Sequence, residues 1–227
     1  MRIFAIDTAL GACSAAILDT DEAAVSAQES LPMARGHAEA LMPLLARVID
    51  SSNLDISEID RIAVTVGPGS FTGLRVGISA ARGLALASGK PAVSVTTLAA
   101  YAAPYFDADD TLPVVAAVDA RHEHIYLQVF GPGGHTLVAP RLSSLREALR
   151  VCTNGAPRIV GTAANLIASA WPSGEREPSS VDPRPAPEIE WVARLGAATE
   201  DTGMPPKPLY LRAPDARPQD AARLPRR

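Results

Sequence analysis

Two short stretches of the chain hold residue types that could bind a charged group. The first is Asp7-Thr8-Ala9-Leu10, an acid that closes the apolar run Ile3 to Ile6. A carboxylate there is a residue type that can hold a cation. Close approach of a phosphate to this loop needs glycine, and the loop carries Ala9 instead. The second stretch is Gly67-Pro68-Gly69-Ser70-Phe71-Thr72-Gly73, a glycine-rich turn ahead of a helix, where backbone N–H groups and the helix dipole favour an anion. It lacks the Gly-Lys-Ser/Thr ending of a P-loop, and the nearest lysine is Lys90. The histidines offer little metal chemistry. His37 has one neighbouring acid, Glu39, which suits capping or solvation better than ligation. Arg121-His122-Glu123-His124 could be a metal site or a polar hairpin turn, and the turn is the expectation. Cys13 and Cys152 form no metal-type cluster or disulfide framework and read as reduced thiols.

The elements that must position these residues are legible in the apolar pattern. Ile62 to Val66 is a short β-branched run, the pattern of a strand covered on both faces. Gly67-Pro68-Gly69 ends it, and Ser70 or Thr72 can cap the helix that follows through Ser88. At 100° per residue, Arg75, Ser79 and Arg82 share one narrow arc of that helix. Gly73, Val76, Gly77, Ala80, Gly83, Leu84 and Ala87 share a second, and Leu74, Ile78, Ala81 and Ala85 a third, so the helix is buried on more than one side. Each interior glycine costs about 1 kcal/mol relative to alanine. Three readings offset that cost at Gly73 and Gly77: another backbone in close approach, a phosphate over the turn, or the helix pressed on its own sheet. Residues 36–51 form another helix, whose apolar positions Leu41, Met42, Leu44, Leu45, Val48 and Ile49 spread wider than one sheet-facing stripe. The surplus must pack on the 73–88 helix or on another chain.

The run GPGSFTGLRVGISAARGLA, followed by KPAVSVTTLAA, closely resembles the signature of the bacterial TsaB (YeaZ) family. The likeness is dense over residues 1–130 and thin from there to PLYLR at 208–212. That resemblance implies a non-catalytic partner in threonylcarbamoyl modification of tRNA. The partner enzyme is TsaD, which transfers a threonylcarbamoyl group to the adenosine next to the anticodon in tRNAs reading codons that begin with A. It also implies recruitment of the ATPase TsaE, self-dimerisation when TsaD is absent, only indirect contact with tRNA, and ATP only within the assembled complex. The shared surface would be the helices at 36–51 and 73–88, through His37, Leu41, Leu44, Leu45, Val48, Gly73, Val76, Gly77, Ala80 and Leu84. Catalytic relatives carry a His-x-x-x-His metal pair where this chain has Thr97 and Tyr101. Neither stands in for a neutral imidazole.

An acid after the first strand, followed by a hairpin, is also how the actin, sugar-kinase and Hsp70 superfamily holds a nucleotide's metal and phosphates. Its strong form is Asp-x-Gly-Thr, so Asp7 and Thr8 read as the relic of a phosphate loop. From Pro113 the chain begins again. Val114 to Asp119 repeats the first strand, Ile125 to Phe130 the return strand, and Arg158 to Gly161 the Ile62 strand. Such self-similarity predicts a duplicated βββαβα unit and an actin-like α/β fold with a reduced second lobe. Asp119, Arg121 and Tyr126 also resemble a family pattern. The expected lobes are 1–110 and 111–212, with an exposed or mobile Pro-rich segment at 172–187 and a polar tail at 213–227.

Composition bounds the rest. Of 227 residues 47% are apolar, enough for a real core, and the net charge of −4 gives no general attraction to nucleic acid. Asp7 leaves no room for a signal-peptide apolar region, and no 18-residue apolar stretch lacks charge, so a cytoplasmic protein is expected. No catalytic residue, metal or resident cofactor is expected. Two rivals remain: an active phosphotransferase or ATPase working through Asp7 and Asp119, and a metallopeptidase, which four scattered histidines do not supply.

Overall fold

The computed structural model describes residues 1–106, 111–153 and 155–212. Three strands open the chain, β1 (Arg2–Asp7), β2 (Ala12–Asp19) and β3 (Ala24–Pro32), paired antiparallel. Then follow α1 (His37–Ser52), β4 (Arg61–Thr65), α2 (Phe71–Ser88), β5 (Ala92–Val95) and α3 (Thr97–Ala102). β4 and β5 join in parallel, giving the sheet order β3-β2-β1-β4-β5. The second half repeats the plan with β6 (Val114–Asp119), β7 (His124–Phe130), β8 (Thr136–Ser144), α4 (Leu145–Cys152), β9 (Arg158–Val160), α5 (Ala164–Ser169), β10 (Ser180–Asp182) and α6 (Ile189–Ala198). Its sheet order, β10-β9-β6-β7-β8, is the same order read from the other edge. The duplication expected from the sequence is present, and each repeat runs one strand and one helix beyond the expected βββαβα. This is the actin-like architecture.

Alternation along the central strands decides which helix covers which face. Phe4, Ile6, Ile17, Ile62 and Val64 point to the α1–α2 layer, where Leu41, Leu44, Leu45, Val48, Leu74 and Ile78 meet them. Ile3, Ala5, Leu18 and Ala63 point the other way, to Ile189, Val192 and Ala193 of α6. In the second sheet Val115, Ala117, Ile125 and Leu127 pack on α4 and α5, while Val114, Ala116, Val118 and Phe130 pack on Leu98, Tyr101 and Ala102 of α3. The last helix of each repeat therefore covers the other repeat's sheet.

That exchange corrects the expected lobe boundary at 111–212. Helix α6 belongs to the first lobe, fixed by Arg61, whose Nη1 donates to the carbonyls of Gly196, Ala197 and Thr199 at 3.0, 3.2 and 2.6 Å. Leu209 also returns there, its N–H donating to the Val66 carbonyl at 2.7 Å. The 172–187 segment is largely exposed, but it contains β10, which pairs parallel with β9. Its three strand residues lie beyond what an apolar pattern can signal. The second lobe is reduced in its helices, with α4 and α5 of 8 and 6 residues against 16 and 18 for α1 and α2, while both sheets have five strands. The polar tail at 213–227 lies outside the described residues.

Candidate functional site

Asp7 ends β1 with no exposed surface. Its Oδ1 accepts from Thr65 Oγ1 at 2.5 Å and from the Ala9 N–H at 3.0 Å, and its Oδ2 is buried without a partner. Burial pushes this carboxyl's pKa up, against the two hydrogen bonds and the nearby His37, which pull it down. His37 is itself buried, its Nε2 donating to the Leu10 carbonyl at 3.1 Å.

Helix α2 closes the loop that follows. Ser70 N–H donates to the Ala9 carbonyl at 2.7 Å, and Thr8 Oγ1 donates to the Gly73 carbonyl at 2.7 Å. A Cβ at Gly69 would overlap Ala9 O, one at Gly73 would overlap Thr8 O, and one at Gly77 would overlap Thr8 Oγ1. On the other flank the Gly11 N–H donates to the Pro185 carbonyl at 3.1 Å, where a Cβ at Gly11 would again be crowded. Protein backbone thus occupies both sides of the loop, and the residues present do not fit the phosphates that an actin-like fold implies at this position.

The expected interface residues separate into two groups. His37, Leu41, Leu44, Leu45 and Val48 are buried in the first lobe's own core. Gly73 and Gly77 are spent on Thr8. These seven are taken up by packing within this chain: the wide apolar arc of α1 is filled by its own sheet and α2, and the glycines admit this chain's own loop. Val76, Ala80 and Leu84 lie half-buried at the core's margin. The outer surface of the layer instead presents Met42, Phe71 and Leu86, exposed by 55%, 49% and 87%. Gly83 stands beside Leu86 with nothing within 4 Å of a Cβ. Sequence reasoning passed over one exposed cluster there. Arg75 lies 3.7 Å above the Phe71 ring and donates from Nε to the Tyr210 hydroxyl at 3.3 Å, while Tyr210 stacks on Phe71 at 5.5 Å. The Phe71–Arg75 spacing of four residues was a readable signal; Tyr210 was not.

The second repeat's acid is placed differently. Asp119 ends β6 exposed, its Oδ1 accepting from the Arg121 N–H at 2.7 Å and its own N–H donating to Thr162 Oγ1 at 2.9 Å. Arg121, His122 and Glu123 all have left-handed backbones, with φ of 63°, 50° and 59°, and form the expected polar hairpin turn. The turn edges a cleft of about 590 Å³ between the lobes, lined among others by Leu10, Phe71, Asp119, Arg121, Tyr126 and Thr162. Thr97 and Tyr101 lie behind it on α3, both buried. Thr97 Oγ1 has no partner, and the Tyr101 hydroxyl donates to the Arg184 carbonyl at 2.9 Å. Among the described residues no three of His, Cys, Asp and Glu are grouped to hold a metal. Cys13 and Cys152 are buried free thiols, with pKa values pushed up by burial to about 11 and about 12. No helix among the described residues is long and apolar enough to cross a membrane.

Comparison with known proteins places this geometry. The family model "TsaD: tRNA N6-adenosine threonylcarbamoyltransferase" matches residues 31–176. The tRNA threonylcarbamoyladenosine biosynthesis protein TsaB of Escherichia coli K12 is 38% identical over 126 residues, 56% of this chain and 53% of that protein. The chain thus spans about half the length of the curated TsaB relatives it matches. An uncharacterised protein of Mycobacterium bovis is 34% identical over 218 residues, 95% of this chain and 94% of that one. The solved structure of YeaZ from Pseudomonas aeruginosa superimposes with a TM-score of 0.74 at 27% identity, covering 92% of this chain and 99% of that one.

Proposed function

The chain belongs to the family that the TsaD model describes, and within it to the TsaB (YeaZ) family; from that premise we propose that it serves threonylcarbamoyl modification of tRNA as a non-catalytic subunit. In this reading it binds and activates TsaD in the cytoplasm. TsaE joins the complex, tRNA is reached only through TsaD, and ATP enters only once the complex is assembled. A second copy takes TsaD's place when TsaD is absent. The observation that carries the non-catalytic role is the covered loop after Asp7. With α2 on one side and Pro185 on the other, it supports no phosphate chemistry of its own, which also weighs against an active phosphotransferase.

The partner surface in this reading is the outer face of the α1–α2 layer. Its apolar residues Met42 and Leu86 are exposed, Phe71 is exposed beside Tyr210 and Arg75, and Gly83 offers a place for a partner backbone to come close. Leu86→Glu tests it, since a side chain 87% exposed contributes little to the fold. The variant is expected to melt like the parent, to lose at least tenfold in TsaD affinity by calorimetry, and to fail to support threonylcarbamoyl transfer. Parent-like affinity would move the interface off α2.

A further inference from the structure

Because α3 packs on the second sheet and α6 on the first, the chain passes between the lobes twice, once before each of these helices. The second passage is the segment 182–188, Asp-Pro-Arg-Pro-Ala-Pro-Glu. Proline at 183, 185 and 187 fixes φ at every other position and leaves a stiff segment, bent at Pro185–Ala186. Its prolines, which in the sequence alone mark a loop, here serve rigidity.

Hydrogen bonds hold this segment on both sides. On the side packed against the second sheet, Tyr101 on α3 donates its hydroxyl to the Arg184 carbonyl at 2.9 Å. Tyr105, in the turn after α3, donates to Asp182 Oδ2 at 2.8 Å. On the side of the first lobe, the Gly11 N–H donates to the Pro185 carbonyl at 3.1 Å. Within the segment, Arg184 Nε donates to Asp182 Oδ2 at 2.6 Å, and Arg184 Nη1 pairs with Glu188 Oε1. A rotation of one lobe against the other has to break the Tyr101 or the Gly11 contact, because the two carbonyls they use belong to adjacent residues, Arg184 and Pro185, and the peptide unit that joins them cannot stretch.

We propose that the segment 182–188 is a strap that pins the angle between the two lobes, in the place a bridging ligand holds in a two-lobed binding protein. The cleft beside Asp119 is then held at one width whether or not a small molecule is present. The tyrosines are positioning residues here: they touch no ligand and act through the strap.

Interlobe distances measure this directly. Spin labels on Asp50→Cys in α1 and Asn165→Cys in α5, both exposed positions, report from opposite lobes, while Cys13 and Cys152 are buried. The parent should give one narrow distance distribution, unchanged by millimolar MgATP. The double variant Tyr101→Phe/Tyr105→Phe should keep its circular dichroism and widen that distribution at least twofold. Arg184→Ala, which removes the strap's internal ion pairs, should widen it less. A parent distribution that is broad or shifts with MgATP overturns the pin. So does a double variant or an Arg184→Ala protein that stays folded and as narrow as the parent. The measurement uses the chain alone, so its outcome is separable from TsaD binding.

Discussion

The two repeats end their first strands in the same residue type and then treat it in opposite ways. Asp7 is buried under α2, with one carboxylate oxygen unpartnered. Asp119 is exposed at the rim of the cleft and caps its own turn. Strand order, pairing and even the glycine after the fourth strand agree between repeats, Gly67 at φ 108° and Gly161 at φ 112°. What differs is the helix that follows. In the first repeat it has 18 residues, with Gly69 just ahead of its cap and Gly73 and Gly77 in its first turns, so those turns lie down on the loop. In the second it has 6 residues, and Asp119 is left exposed beside Thr162, two residues ahead of that helix. An acid at a strand end is therefore a ligand or a core residue according to the helix beside it, and the motif alone does not say which.

The sharpest way to break the comparison is to forbid that helix its position. Gly73→Ala puts a Cβ into the Thr8 carbonyl, a backbone atom that cannot swing away. We expect a loss of at least about 3 kcal/mol in urea unfolding, the upper part of the range for overpacking. Gly83→Ala, the same change ten residues along the same helix, meets open space and should instead stabilise the isolated chain by about 1 kcal/mol. Equal effects at the two positions would mean that α2 does not rest on the Asp7 loop.

A middle-sized effect should come from Asp7 itself, with a defined pH sign. Its folded pKa lies above the ordinary carboxylate range, so the folded state holds the proton more tightly than the unfolded state. Its favourable contribution is complete below the unfolded pKa and is lost as pH rises through the folded one. Asp7→Asn keeps an acceptor for Thr65 and Ala9 and does not titrate. Parent and variant should be of similar stability at pH 4, with the variant the more stable of the two by pH 8. Urea denaturation at the two pH values reads this, and a parent that gains on the variant as pH rises would show a working carboxylate at position 7.

Most of the fold was legible because it rests on local signals. Asp55 with Glu58 and Ser144 with Glu147 stand at capping-box spacing in the sequence, and both boxes form. The β-branched runs pair as strands, and the restart at Val114 marks the repeat. The site was less legible, for a reason of the same kind. Periodicity places Gly73, Gly77, Leu41 and Val48 on helix arcs, but an arc that faces another chain and an arc that faces a loop of the same chain have the same pattern. Only Thr8, 65 residues before Gly73, decides between them. The home of α6 was hidden in the same way, since an apolar stripe does not say which of two similar sheets it covers.

The smallest expected effect sharpens the comparison most. Asp119→Asn changes an exposed side chain that accepts, among the described residues, from the Arg121 N–H at 2.7 Å, a bond an amide oxygen can also accept. Asparagine is at home in turns of this kind, so the unfolding free energy should stay within about 0.5 kcal/mol of the parent. If the open acid carries no ligand duty, as a non-catalytic subunit requires, threonylcarbamoyl transfer by the assembled complex should also stay within twofold. A folded Asp119→Asn protein whose complex loses tenfold or more would reverse the assignment. The chemistry abandoned at the covered Asp7 loop would then have its counterpart at the uncovered one, and the cleft would have to be read as a working site of the second repeat.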